Sequence, residues 1–112
     1  HYIDRDMAKL KDFGVPYQLD ALPLPEQCSF FNHLDIAHTC NTGDTFVTEP
    51  IEHADVVDME GFALAAWSRQ ESIPMISIKY ITDQIGQNSI KHWQEKLSDA
   101  RHALQTFFEQ IK

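Results

Sequence analysis

The sequence predicts an α/β sandwich, and three observations predict it: a helical apolar pattern over 54–71, an apolar extended run over 73–82, and a long apolar stripe from about 90 to the C-terminus. Strand–helix–strand–helix order of this kind builds layered α/β domains. The elements before residue 54 are weaker. Residues 1–13 alternate apolar and charged groups without a clean period, and Gly14 with Pro16 then breaks the chain. In DALPLPEQ, 20–27, Pro23 and Pro25 exclude helix and favour an extended connection. IAHTCN, 36–41, suits a strand between turn signals. Gly43–Asp44 interrupts, TFVT at 45–48 is a second extended piece, and Pro50 closes it.

Over 54–71, Val56, Met59, Ala63, Ala66 and Trp67 recur at steps of three and four, which marks one buried helix face. Asp55 is the expected N-cap, and Asp58 falls in the first turn, where a carboxylate favours the positive end of the helix dipole. Gly61 within that helix costs ~1 kcal/mol relative to Ala, so close packing or close ligand approach is expected there. In IPMISIKYIT, 73–82, Ile76, Ile78 and Tyr80 face one way and Met75, Ser77, Lys79 and Ile81 the other. Apolar groups on both faces fit an inner strand covered on two sides. DQIGQ ends it. Asn88 or Ser89 caps the last helix, whose stripe is Ile90, Trp93, Leu97, Ala100, Leu104, Phe107 or Phe108, and Ile111.

A chain of 112 residues makes one domain, 1–112, with a modest core. With 43% apolar residues and only 4 glycines and 5 prolines, disorder is not expected. Net charge is −8, and the few Lys and Arg are scattered, which argues against nucleic acid and anionic membranes as partners. No apolar run approaches the ~20 residues of a membrane span. No signal-peptide pattern is present, so a cytoplasmic location is expected. Cys28 and Cys40 form no CxxC pair, and two buried reduced thiols are expected rather than a bridge.

Two acidic clusters carry the chemistry. In DVVDMEGFALA, 55–65, Glu60 falls in the first turns of the expected helix; in IKYITDQIG, 78–86, Asp83 falls just past the end of the expected inner strand. Ligands of open α/β sheets gather where strands end. Taken singly, each residue also has a plain structural role: Glu60 as a dipole partner, Asp83 as a turn former or helix cap.

The combination NTGDTFV at 41–47, VVDMEGFALA at 56–65 and KYITD at 79–83 resembles the nucleoside phosphorylase/nucleosidase superfamily, most closely the methylthioadenosine/S-adenosylhomocysteine nucleosidases. The resemblance covers most of 36–112 and, more weakly, HYIDRDM at the start. It implies a three-layer αβα sandwich with a mixed sheet, here part of a larger nucleoside phosphorylase-type fold. It also implies a purine nucleoside substrate, no cofactor and a homodimer. Asp83 matches the acid that protonates or hydrogen-bonds N7 of the departing base, and for that its surroundings should raise its pKa. Glu60 matches the carboxylate that accepts hydrogen bonds from the ribose 2′- and 3′-hydroxyls. By the same resemblance Met59 would pack on the sugar, Phe46 would stack on the purine, and Val47 would offer backbone groups to the base edge. Trp93 stands where relatives place an aromatic lid, though it also belongs to the stripe of the last helix.

Thr82 stands in place of the usual Ser and keeps a hydroxyl beside the acid. Lys79 stands where Arg is common, and an ammonium lacks the planar fork of a guanidinium. The spacer between Val47 and Glu60 is shorter than the resemblance would give. The half of such enzymes that supplies a base for water or a phosphate cradle has no counterpart here, so the 112 residues are expected to be part of a longer enzyme. The expected activity is hydrolysis of the N-glycosidic bond of methylthioadenosine, S-adenosylhomocysteine or a related nucleoside. The alternatives are a phosphate-dependent phosphorylase and a non-catalytic nucleoside-binding or assembly piece. HLDIAH, 33–38, is not expected to bind metal, because His33 and His38 would face opposite sides of a strand. His92 and His102, about 80° apart on a helix, read as solvated. Cys40 reads as a small buried thiol, not a nucleophile.

Overall fold

The computed structural model describes residues 1–26, 38–82, 84–85 and 90–110, the last stretch with side chains from 94 onward. The elements are β1 (Tyr2–Asp4), a 3-10 helix (Met7–Phe13), β2 (Gln18–Leu19), β3 (Cys40–Thr42), β4 (Val56–Asp58), α1 (Gly61–Gln70) and α2 (Ile90–Gln110). They fall into two compact units, His1–Phe46 with Ile51–Ser77, and Val47–Pro50 with Ile78–Lys112.

The first unit holds a four-stranded sheet in the order β2-β1-β3-β4. β1, β3 and β4 run parallel, and β2 is antiparallel to β1, which is the mixed sheet of the expected α/β fold. Register sets three rows across the parallel strands: Tyr2–Cys40–Val56, Ile3–Asn41–Val57 and Asp4–Thr42–Asp58. Because side chains alternate along a strand, the first and third rows share a face. That face carries the core. Tyr2 and Cys40 are buried with Phe62 and Ala65 of α1, and Leu19, Ala21, Val56, Ala66 and Met75 pack around them. Burying a side chain such as Phe62 contributes roughly 2–3 kcal/mol. Ala65 is fully buried, so helix and sheet approach as closely as a methyl group permits.

Several expectations are corrected here. The helical pattern over 54–71 is two elements: Val56–Asp58 pairs with β3 as a strand, and the helix begins only at Gly61. Two adjacent β-branched valines with a waiting partner strand outweigh the three- and four-residue spacing. Asp55 caps no helix; its carboxylate accepts the Thr39 N–H at 2.7 Å. Residues 73–82 join no ladder among the described residues, although their alternation is the strongest in the chain. Strand propensity reflects side-chain fit and does not supply a backbone partner. Ser77 does share a 2.8 Å hydrogen bond with the Tyr2 hydroxyl. TFVT, 45–48, is likewise in no strand.

Residues 1–13, which show no period, hold β1 and the 3-10 helix. Asp4 Oδ1 accepts the N–H groups of Asp6 and Met7, both at 2.9 Å, and so turns the chain out of the strand. Gly14, at φ 77°, ends the 3-10 helix, as a residue without Cβ does readily. At the end of α1, Ser72 takes the same left-handed region at φ 56°. Its N–H donates to Arg69 O at 3.2 Å, and Ile73 N–H donates to Ser68 O at 2.8 Å, a Schellman closure made without glycine.

In the second unit α2 runs Ile90–Gln110 over the expected last helix, while the expected cap, Asn88 or Ser89, and Ile111 lie outside the described residues, and Leu97, expected on the buried stripe, is exposed. Lys96, Ala100, Leu104 and Phe107 form its half-buried stripe, while Leu97 and Phe108 are 46% and 47% exposed. The Phe107 and Phe108 rings meet edge to face at 5.5 Å. Among the described residues no helix is long and apolar enough to cross a membrane.

Candidate functional site

Three parallel strands end level with one another at Asp4, Thr42 and Asp58. The carboxyl edge of such a sheet is where ligands gather, because strand ends release loops there and helices begin. The sequence continues from these ends into Arg5–Asp6, into Gly43–Asp44–Thr45–Phe46, and into Met59–Glu60 before α1.

A side-chain network ties two of these ends to the helix start. The Thr42 hydroxyl donates to Asp58 Oδ1 at 2.6 Å and accepts the Phe62 N–H at 2.9 Å. Asp58 Oδ2 accepts the Gly61 N–H at 2.8 Å. The first free amides of a helix need acceptors, and the residue just before the helix ordinarily provides one. Glu60 holds that place but makes no side-chain cap hydrogen bond. Thr42 and Asp58 meet the need from the sheet, and the Glu60 side chain is exposed at the positive end of α1. Gly61 fits this junction for a steric reason: a Cβ there would come within 2.5 Å of Asp58 Oδ2. The close approach expected at Gly61 is therefore made by Asp58.

A second network fastens the loop after β3. Arg5 Nη1 donates to Asn41 O and Asn41 Oδ1 at 3.1 and 3.2 Å, and Nη2 donates to Thr45 O at 2.6 Å. Asp6 Oδ2 accepts the Asp44 N–H at 2.8 Å. Asn41, 3% exposed, obtains an anchored partner in this way.

Of the residues singled out from sequence, Phe46, Met59 and Glu60 belong to the first unit, beyond the ends of the neighbouring strands β3 and β4. Phe46 is 46% and Met59 47% exposed. Val47 and Thr82 are half-buried members of the second unit. Trp93 lies in the first turn of α2, with its side chain outside the described atoms, and Asp83 lies outside the described residues. Of HLDIAH, His33 and Asp35 also lie outside them, and His38 Nδ1 is 3.9 Å from Asp55 Oδ2. Among the described residues no group of three or more His, Cys, Asp or Glu is placed to hold a metal ion.

Arg5, Thr42 and Asp58 organise the site, though none was expected to be a site residue. Asp58 had a signal: an Asp three residues ahead of Gly61 is a capping pattern once the helix is started at Gly61. Arg5 lies in HYIDRDM, which the resemblance covers only weakly, and nothing local pointed to its role, because only the parallel pairing of β1 with β3 brings it to a loop about 40 residues away.

A family model, the phosphorylase superfamily, matches residues 41–111, a span that starts inside β3 and takes in β4, α1 and α2. No curated protein and no solved structure matches the chain.

Proposed function

Because this chain belongs to the phosphorylase superfamily, which includes nucleoside phosphorylases and nucleosidases, we propose that it serves hydrolysis of a purine nucleoside's N-glycosidic bond, with methylthioadenosine or S-adenosylhomocysteine as substrate. The observation that carries this reading is the exposed carboxylate of Glu60, which stands at the N-cap of α1 without capping it. Helix capping is done by Thr42 and Asp58, so an exposed acid stands at a helix start on the carboxyl edge of a parallel sheet. A carboxylate offers two acceptor oxygens, which suits a vicinal diol such as ribose O2′ and O3′.

In the proposed mechanism Glu60 grips the sugar, Met59 packs against it, and Phe46 stacks on the base. Asp83, with Thr82 beside it, gives a proton to N7 so that the base leaves neutral. The sugar then carries oxocarbenium character, as in glycoside hydrolysis. Val47 would meet the base edge through its backbone and Trp93 would cover the nucleoside. A homodimer is the assembly this reading expects.

Base release from methylthioadenosine, followed by ultraviolet absorbance with and without inorganic phosphate, tests the proposal. Turnover independent of phosphate is expected; strict dependence would make the protein a phosphorylase. Asp83→Asn should lower kcat by roughly 10²–10⁴, the usual contribution of a general acid, while circular dichroism stays unchanged. Full turnover in that variant would remove Asp83 from the mechanism, and nucleoside binding without any turnover in the parent would indicate a binding piece.

A further inference from the structure

We infer that Arg5 is a positioning residue for base recognition: its guanidinium, reaching from the end of β1, fixes the loop that presents Phe46. This rests on the stacking role of Phe46 proposed above. The geometry is specific. Thr45 O, held by Arg5 Nη2 at 2.6 Å, belongs to the same planar peptide unit as the Phe46 N–H, so fixing that oxygen fixes the plane from which the Phe46 side chain departs. The other end of the fork holds Asn41 through both its backbone and its side-chain oxygen. The loop is thereby gripped on both sides, at buried Asn41 within β3 and immediately before Phe46. Asp6 adds a third point at the Asp44 N–H.

Gly43 is the space that lets the guanidinium through. A Cβ at that position would come within 2.5 Å of Arg5 Cζ and 2.7 Å of Arg5 Cγ. Cγ belongs to the stem, and the head is tied by its hydrogen bonds, so the arginine cannot step aside without releasing Thr45. Gly43 and Arg5 therefore act as one device. Lysine would keep the stem and the charge but could not span Asn41 and Thr45 together, since it lacks the planar fork.

The test compares the parent with Arg5→Ala, Arg5→Lys, Gly43→Ala and the Arg5→Ala/Gly43→Ala double variant. The measurements are the adenine dissociation constant, KM and kcat for methylthioadenosine, and amide hydrogen exchange of 43–46 and of α1. Arg5→Ala should weaken adenine binding and raise KM by about tenfold, as expected for losing charge-assisted hydrogen bonds that order a stacking group, with kcat within about twofold. Exchange should accelerate at 43–46 and not in α1. Arg5→Lys should recover part of the affinity. Gly43→Ala should weaken binding in the parent and have little further effect once Arg5 is removed. Adenine affinity and KM unchanged in Arg5→Ala, in a parent that binds adenine, would overturn the positioning role alone. Additive effects of the two substitutions would do the same. A parent with no adenine affinity would overturn both this role and the nucleoside reading on which it rests.

Discussion

Asp58 answers two needs with one carboxylate, one oxygen toward the Thr42 hydroxyl and the other toward the Gly61 amide. The second contact decides what may stand at 61. Helix propensity alone predicts that Gly61→Ala gains about 1 kcal/mol. The added methyl, however, would fall 2.5 Å from Asp58 Oδ2, and relieving such overpacking costs about 1–3 kcal/mol. Gly61→Ala should therefore lower stability, by about 1 kcal/mol, in urea denaturation; a stabilised variant would show that the junction has room. The opposite substitution is favoured at the other end of the helix. Ser72 sits at φ 56°, where a residue with a Cβ loses about 1–2 kcal/mol. Ser72→Gly relieves that cost at the expense of a more flexible unfolded chain. It should raise the unfolding free energy by about 0.5–1 kcal/mol, and a loss of stability would contradict the closure described for α1.

At the scale of elements, the start of α1 depends on the end of β3. Thr42→Val keeps the shape but removes the donor to Asp58 and leaves the buried Phe62 amide without its acceptor. Buried groups left unpaired cost about 1–3 kcal/mol each. A loss of about 2–3 kcal/mol is expected, with faster hydrogen exchange at Phe62 and little change near Gln70. Uniform exchange along α1 would mean that the anchor is not local. The same junction explains which elements could be read in the sequence. The last helix was legible because a stripe of apolar residues recurring over 21 residues has no competing pattern. Of the strand expected over 36–41, Cys40 and Asn41 lie in β3, which runs on to Thr42; His38 and Thr39 lie outside it, and 36–37 lie outside the described residues. By contrast, Val56, Met59, Ala63 and Ala66 keep helical spacing across a strand, a turn and a helix. Spacing cannot register that Val56–Val57–Asp58 has a parallel partner. The alternation of 73–82 promised a strand for which no partner is found among the described residues. At the site, the acid–Met–Glu run drew attention to Met59 and Glu60, but it placed Asp58 inside the helix and so hid the capping role that leaves Glu60 exposed. Arg5 could not be found from local sequence at all, since its loop partners are brought to it by the sheet.

For the whole molecule, the balance of charge is the controlling property. With 17 Asp and Glu against 9 Lys and Arg, the surface offers no excess of cations to a polyanion. The protein should pass unretained through a DNA or heparin column at neutral pH and low salt. Retention that is lost linearly with the logarithm of salt concentration would contradict this.

The strand order carries a last consequence, for the way the sheet assembles. β1 is flanked on one side by β2, a near neighbour in sequence, and on the other by β3, whose Cys40 lies opposite Tyr2 after a long detour of chain. Tyr2 pairs with Leu19 and Cys40 with Val56 at similarly short separations, so β1–β2 and β3–β4 can each form as local pairs, whereas the β1–β3 pairing that joins them must close the long detour. The closure of β1 on β3 is thus the costly step in assembling the sheet, and refolding should be slow compared with that of helical proteins of equal size.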